Sequence, residues 1–249
     1  MINVALWVVW GLSLLISTVF MSAYIRKVHK TEGIIAVYVI YLALSQILAL
    51  KIVKIGAWEP PAGVLTFPFL FQLTDTMNEH FGQKETHKMI LIAFVTQILM
   101  VMFIYFSNEL PAGDSWWVDP NAWTAIFQQQ TAIVAASWIT FLLTNNLDAV
   151  VYTWVKKITK GKYLWVRSVF SDVPMLMLDS ALFIILGFGL FQGLWFLVWD
   201  LIVAQTITKW IFGVVDTPFI YLDRWIVNSP KLVGIFKENI DERLNLSQS

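Results

Sequence analysis

Acidic and amide side chains recur inside long apolar stretches of this sequence, where ionisable groups are costly. A charge at the centre of a bilayer costs roughly 2.5–3.5 kcal/mol on insertion scales, so such residues normally face an interior cavity or a partner. One group follows a proline-rich stretch at steps of three and four residues, which places its members on one helical face: Gln72, Asp75, Asn78 and Glu79. Carboxylates and amides on one face can hydrogen-bond a small polar solute, so we expect a binding site here.

Three later apolar segments carry further polar residues at helical spacing. They are Asn145 and Asp148, then Asp172 and Asp179, and finally Gln205, Lys209 and Asp216. Proton relays in membranes use carboxylates of this kind, which makes Asp148, Asp179 and Lys209 candidates for ion coupling. Structural explanations stay open. Lys209 can neutralise an aspartate in an ion pair, and Asp148 can contact water at a helix end. Asp172 lies near the start of its segment, where the helix dipole stabilises a negative charge.

The usual enzyme signatures are absent from the sequence. His80 and His87 are seven residues apart, unlike the HEXXH spacing of zinc proteases, and neither a G-x-S-x-G elbow nor a phosphate-binding P-loop occurs. With no cysteine there is no disulfide, zinc–thiolate site or cysteine nucleophile. We therefore expect no catalytic residue, no metal ligand and no cofactor. The alternative is a membrane-embedded enzyme that uses Asp75, Glu79 and Asp179 as acids or metal ligands.

The composition predicts that the surrounding solvent is lipid. Of the 249 residues, 58% are hydrophobic and 14% are charged, with a mean hydropathy of +0.67. Soluble domains carry about 25% charged residues. The 17 basic residues are balanced by 17 acidic ones, so the chain has no basic field to hold a polyanion. We expect contact with the bilayer and none with nucleic acid.

The apolar residues fall into seven segments of about 20 residues, the length at which a helix crosses about 30 Å of hydrocarbon. They cover residues 3–24, 33–53, 61–80, 88–106, 128–154, 171–191 and 194–221. The third contains Pro61, Gly63 and Pro68 and then becomes polar, so we expect a broken or partly re-entrant helix beside a protein-lined cavity. The predicted fold class is an all-α, polytopic membrane bundle.

Basic residues alternate between the connections of these segments. The first, third and fifth connections and the tail hold most of them: Arg26, Lys27, Lys30, Lys84, Lys88, Lys156, Lys157, Lys160, Lys162, Arg167, Arg224, Lys231, Lys237 and Arg243. The second has only Lys51 and Lys54, and the fourth (residues 107–121) has three acids and no base. The positive-inside rule then predicts seven crossings, with the N-terminus outside and the C-terminus inside.

Four stretches resemble the motifs of the queuosine precursor transporters, also called the vitamin uptake transporter family. The first, residues 66–90, reads TFPFLFQLTDTMNEHFGQKETHKMI and has a Pro-aromatic run followed by Thr-Asp, an acid and a glycine. The others are FLLTNNLDAVVYTWVKKITKGKYLWVRS (141–168), MLMLDSALFIILGF (175–188) and TKWIFGVVDTPFIYL (208–222). The resemblance covers roughly residues 33–222 in order.

The resemblance implies an importer in the inner (plasma) membrane. Its implied substrates are the free bases 7-cyano-7-deazaguanine and 7-aminomethyl-7-deazaguanine, precursors of queuosine or archaeosine in tRNA. Residues 33–222 then form a transporter core of about six membrane helices, residues 1–32 an additional helix and basic loop, and residues 223–249 a cytoplasmic tail. Secondary active transport and dependence on an external ATPase both stay open, as does a homodimer.

The polar residues suit this substrate class. A guanine-like edge has two adjacent N–H donors, which one carboxylate can accept together, and Asp75 or Glu79 is our first choice for it. Asp179 could serve the cationic aminomethyl group. Side chains on the same segments complete the set: Asn78, Asn145 or Gln205 for the carbonyl oxygen, Gln72 beside them, and Phe67, Phe69, Phe71 or Trp138 for stacking.

Overall fold

A computed structural model of the chain describes residues 4–49, 51–127, 130–160 and 162–229. Its helices in chain order are α1 (Val4–Val28), α2 (Glu32–Leu48), α3 (Phe67–Phe81), α4 (Gln83–Glu109), α5 (Pro120–Phe127), α6 (Gln130–Ile158), α7 (Leu164–Ile184) and α8 (Trp195–Asn228). A 3₁₀-helix (Ala62–Leu65) precedes α3, and a π-helix (Ile185–Leu190) continues α7. The predicted all-α class is confirmed.

Within the described part of the chain, five helices are long and apolar enough to cross a membrane: α1, α4, α6, α7 with its π-helix, and α8. The helix α2 is apolar but has only 17 residues, and α3 has 15 residues with many polar side chains. The structure therefore supports several membrane crossings, while the count of seven and the orientation stay predictions. The chain from 194 to 221, predicted as the last segment, belongs to a longer helix that ends at Asn228.

The third predicted segment consists of two helical pieces, the 3₁₀-helix and α3, joined at Thr66. Pro68 stands in the first turn of α3, where a missing backbone donor costs little. Gly82 ends α3 with a positive φ of 84°, which glycine adopts without strain, and α4 begins at the next residue. A Cβ on Gly63 would lie 2.8 Å from the backbone oxygen of Ser45, so glycine permits the 3₁₀-helix to approach the end of α2.

The helix α3 lies in the interior of the region that spans residues 34–217. Every residue from Pro68 to Asn78 of α3 is buried. The helix α6 packs against α3, α4 and α7. Polar side chains on α3, α6 and α7 therefore face protein rather than lipid, as the cost of ionisable groups in hydrocarbon requires.

Three elements differ from the segments predicted from sequence. The helix α2 ends at Leu48, and residues 51–61 then form an irregular stretch with isolated bridges between Ile52 and Pro61 and between Ile55 and Trp58. The short helix α5 lies next to the predicted outer loop. Of the predicted tail 223–249, residues 223–228 continue α8, and residues 230–249 lie outside the described part.

The chain divides into two compact units, residues 1–33 with 218–249 and residues 34–217. In the first unit, Ser22 of α1 donates a hydrogen bond to Asp223 Oδ1 at 2.6 Å. Arg26 donates to the backbone oxygens of Ile226 and Ser229 at 2.6 and 2.7 Å. The last carbonyls of a helix lack partners within it, so Arg26 serves as a cap for α8.

Candidate functional site

A buried cavity opens among the end of α2, the 3₁₀-helix, α6, α7 and α8. The cavity has a volume of about 40 Å³. Its lining consists of Ser45, Gln46, Ala49, Pro61, Gly63, Val64, Phe67, Val134, Ser137, Thr140, Asp179, Phe183, Gln205 and Lys209. The 3₁₀-helix thus borders a protein-lined hollow, and the first residue of α3, Phe67, also lines it.

An ion pair between Asp179 of α7 and Lys209 of α8 lies in the wall of this cavity. The two side chains are 4% and 2% exposed, so water does not screen them. Thr144 of α6 donates to the second carboxylate oxygen of Asp179 at 3.2 Å. The ammonium of Lys209 also lies 4.3 Å from the centre of the Phe67 ring, within the range of a cation–π contact. A charged acceptor, a charged donor and an aromatic face therefore meet at one place.

Some amide and hydroxyl atoms in the same wall of the cavity make no hydrogen bond within the described part of the chain. Among the described residues, both amide atoms of Gln46, Oε1 of Gln205 and Oγ1 of Thr140 are buried and make no hydrogen bond within the protein. Gln46 and Gln205 are only 7% and 4% exposed. A buried polar group without a partner costs about 1–3 kcal/mol. A solute with donors and acceptors would recover that cost, so the wall suits a small polar ligand.

Asn78 and Glu79, at the end of α3, bind α6 instead of lining this cavity. Asn78 donates to the backbone oxygen of Ala149 at 2.8 Å and accepts from Thr153 at 3.1 Å. Glu79 accepts from the Tyr152 hydroxyl at 3.1 Å and forms an ion pair with Lys156 at 2.8 Å. These contacts fix the two helices to each other.

Asp75 belongs to a second polar cluster, with Asp148 of α6 and Asp172 of α7. One carboxylate oxygen from each residue lies within 4.8 Å of the other two, close enough for a shared proton or a single cation. Asp172 also accepts from Ser168 at 2.8 Å and from Ser171 at 3.2 Å. The alternative drawn from the sequence, a membrane-embedded enzyme, combined Asp75 with Glu79 and Asp179 as acids or metal ligands. The structure instead groups Asp75 with Asp148 and Asp172.

The remaining predicted side chains are not among the residues that line the cavity. The hydroxyl of Tyr38 donates to Oδ1 of Asn145 at 2.9 Å. Gln72 and Phe71 are buried within α3, and Trp138 packs edge-on against Phe94 with ring centres 5.6 Å apart. Of the residues predicted to bind substrate, Phe67, Asp179 and Gln205 line the cavity, and Lys209, predicted for coupling, joins them.

Four polar lining residues were not singled out from sequence: Ser45, Gln46, Ser137 and Thr140. Gln46 offered the same signal as the residues that were chosen, because it is an amide within an apolar segment of predicted length. The small hydroxyls gave no such signal, since serine and threonine can bond to the carbonyl one turn earlier in their own helix. Ser45 does so, donating to the Leu42 oxygen at 2.8 Å.

Several apolar helices around a buried polar interior define a multi-pass membrane protein. The family model described as "Putative vitamin uptake transporter" matches residues 61–222, and the chain therefore belongs to the vitamin uptake transporter family. The matched range contains α3 to α7 and most of α8.

One curated relative is the "Probable queuosine precursor transporter" of Bacillus subtilis (strain 168). It is 22% identical over 174 residues, which cover 69% of this chain and 74% of the relative. No solved structure matches the chain. The resemblance seen in the four sequence motifs is confirmed at the level of the family.

Proposed function

We propose that this transporter imports the 7-deazaguanine precursors of queuosine, 7-cyano-7-deazaguanine and 7-aminomethyl-7-deazaguanine, across the plasma membrane. Membership of the family and the name of the Bacillus subtilis relative support the substrate class. The observation that carries the proposal is the cavity beside Asp179 and Phe67, with the spare hydrogen-bonding capacity of Gln46 and Gln205.

The proposed binding mode assigns roles to four of the lining residues. Asp179 accepts the two adjacent N–H donors of the guanine-like edge, as a carboxylate accepts a bidentate partner. The amide of Gln46 donates to the ring carbonyl, and Nε2 of Gln205 donates at the opposite edge. Phe67 stacks on the ring, a contact worth about 1–3 kcal/mol per base in nucleic-acid complexes. Each group lines the same cavity, which favours this set.

The acid chosen first from sequence, Asp75 or Glu79, stays a competing proposal for the same donor edge. With it belong Gln72, Asn78, Phe71 and Asn145 as neighbouring contacts. The cavity lining favours Asp179, because none of these residues is part of it. The assignment to Asp179 and the assignment to Asp75 predict opposite effects on the substrate Kd when either aspartate is substituted.

We further propose secondary active transport with seven crossings, the N-terminus outside and the C-terminus inside. Proton coupling runs through ionisable groups of the interior, namely the carboxylates of Asp148 and Asp179 and the ammonium of Lys209. Liposomes that contain the purified protein alone should then accumulate substrate under an imposed pH gradient. Uptake that requires a separate ATPase would contradict this and would make the chain the substrate-binding subunit of a larger importer.

The substrate proposal is tested by uptake of radiolabelled 7-cyano-7-deazaguanine into proteoliposomes. We expect saturable uptake that unlabelled 7-aminomethyl-7-deazaguanine inhibits and an unrelated vitamin does not. Gln46→Leu should raise the substrate Kd about tenfold, because it leaves a polar atom of the base without a partner. Gln97→Leu is the matched control, since Gln97 is also a buried glutamine with an unbonded Oε1 but does not line the cavity. Absence of uptake by the wild type, or equal losses in both variants, would refute the proposal.

A further inference from the structure

The ammonium of Lys209 occupies the place that the proposed binding mode gives to the substrate. It donates to Oδ2 of Asp179, the acceptor assigned to the donor edge of the base. It also lies 4.3 Å from the centre of the Phe67 ring, on a face that a stacked heterocycle would cover. Aromatic rings pack with their centres about 4.5–7 Å apart, so the ammonium and a stacked ring cannot share that face.

The small volume of the cavity also prevents the substrate and the Lys209 ammonium from occupying it together as they stand. A cavity of about 40 Å³ can hold only a few water molecules. A bicyclic base is several times larger than one water molecule, so at least one lining side chain must move when it enters. Lys209 has four rotatable side-chain bonds and projects into the required place, whereas Phe67 and Asp179 are the groups that the base must contact.

A displaced Lys209 ammonium needs another acceptor, because a buried charge without a partner is very costly. Gln205 precedes it by four residues on α8, and residues at this spacing are neighbours on one helical face. Side chains on a helix lean toward its N-terminus, which directs Lys209 toward the turn of Gln205. The Oε1 atom of Gln205 makes no hydrogen bond with the described residues, so it can accept the ammonium.

We propose that the ammonium of Lys209 competes with the substrate for Asp179. The donor edge of the substrate displaces this ammonium from Asp179, and the ammonium then moves to Oε1 of Gln205. The inference rests on the proposed function and adds a mechanism of selection to it. A ligand that lacks two adjacent N–H donors cannot replace the ammonium at Asp179. It leaves the ion pair closed. Thr144 keeps its bond to the other oxygen of Asp179 and holds the carboxylate in place during the exchange.

Binding of 7-cyano-7-deazaguanine to the full-length protein in detergent, measured by titration calorimetry, tests the exchange. This probe is neutral, so its own charge does not enter the comparison. Lys209→Met removes the competitor and should lower the Kd about tenfold, equivalent to about 1.4 kcal/mol. Lys88→Met removes the lysine of an exposed pair with Glu85 and should leave the Kd unchanged. An unchanged or raised Kd in Lys209→Met would overturn the inference.

Lys209→Arg retains the ion pair and therefore covers the case in which Lys209→Met does not fold. A guanidinium can bind both oxygens of a carboxylate at once and holds it more firmly than an ammonium. The Kd of the Arg variant should rise about tenfold. A Kd equal to or below that of the wild type would count against displacement.

The role of Gln205 is tested by a double-mutant cycle with Lys209. Gln205→Leu should raise the Kd more in the wild-type background than in the Lys209→Met background, because only the wild type has an ammonium that Oε1 of Gln205 must accept. An equal rise in both backgrounds would mean that Gln205 acts only by contact with the base and would refute the exchange. Failure of the proposed function looks different, since the wild type would then bind no 7-deazaguanine at all.

Discussion

Asn78 of α3 donates a hydrogen bond from its side-chain amide to the backbone oxygen of Ala149 in α6, at 2.8 Å. The oxygen of the same amide accepts from Thr153, one turn further along α6, at 3.1 Å. One buried amide therefore connects α3 to two successive turns of the neighbouring helix. This places the polar face of α3 against α6.

Replacement of Asn78 should therefore affect stability more than substrate affinity. Asn78→Ala removes two interhelical hydrogen bonds, each with a net value of about 0.5–1.5 kcal/mol, and should lower the melting temperature measured in detergent. Asn121→Ala, at an exposed asparagine, is the matched control and should leave it unchanged. A normal melting temperature combined with a strongly raised substrate Kd would instead assign Asn78 to the binding site.

The two candidate acids are separated by paired substitutions to asparagine. Asp179→Asn should raise the Kd for 7-cyano-7-deazaguanine about tenfold or more, because a neutral amide cannot accept both N–H donors of the base. Asp75→Asn should leave the Kd near that of the wild type, since Asp75 does not line the cavity. The reverse pattern in binding assays would move the substrate to α3 and refute the binding mode proposed here.

The orientation can be tested directly, because the sequence contains no cysteine and single cysteines report without background. Ser115→Cys lies in the connection predicted outside, and Lys160→Cys lies in the basic connection predicted inside. A membrane-impermeant maleimide should label the first in intact cells and the second only after permeabilisation. Labelling of Lys160→Cys in intact cells would reverse the proposed topology.

The two interior lysine pairs should differ in energy because their burial differs. Lys156 is 33% exposed in its pair with Glu79, so Lys156→Met should reduce the free energy of unfolding by at most about 1 kcal/mol, and by less in high salt. Lys209 is 2% exposed, and Lys209→Met leaves the buried Asp179 carboxylate unpaired, which costs about 3–5 kcal/mol in comparable sites. Equal, salt-sensitive losses in thermal unfolding would show that water reaches both pairs.

The cap that α1 provides for α8 predicts a local effect. Arg26→Ala leaves the carbonyl oxygens of Ile226 and Ser229 without that donor and should speed amide exchange at the end of α8. Arg224→Ala provides a control, because Arg224 is an exposed arginine on α8 itself. Hydrogen exchange by mass spectrometry that is identical in the two variants would exclude the capping role.

Much of the helical architecture could be predicted from the sequence. Long apolar segments and their length requirement located α1, α4, α6, α7 and α8. The break expected from the prolines near residues 60–68 stays a prediction. The end of α2 at Leu48 could not be predicted. Apolar residues such as Ile52 and Val53 continue the pattern, while the bridge from Ile52 to Pro61 depends on tertiary contacts.

The candidate site could be predicted only in part. Polarity within apolar segments correctly selected buried residues such as Asp75, Asp179 and Lys209. Helical spacing shows which residues share a face of one helix, but it does not show which face meets another helix. The sequence favoured Asp75 over Asp179 for the donor edge of the base, although of the two only Asp179 lines the cavity. Gln46 belongs to a different segment, and only packing brings it to Phe67.

The narrow cavity beside Phe67 has a practical consequence for the search for inhibitors. In a virtual screen against this conformation, small fragments would score better than molecules as large as a purine, because the cavity has space for only a few water molecules. Compounds that lock the importer in this shape should be small cations or amides that leave the Asp179–Lys209 contact intact. Mimics of the nutrient itself should be sought against a wider, occupied form.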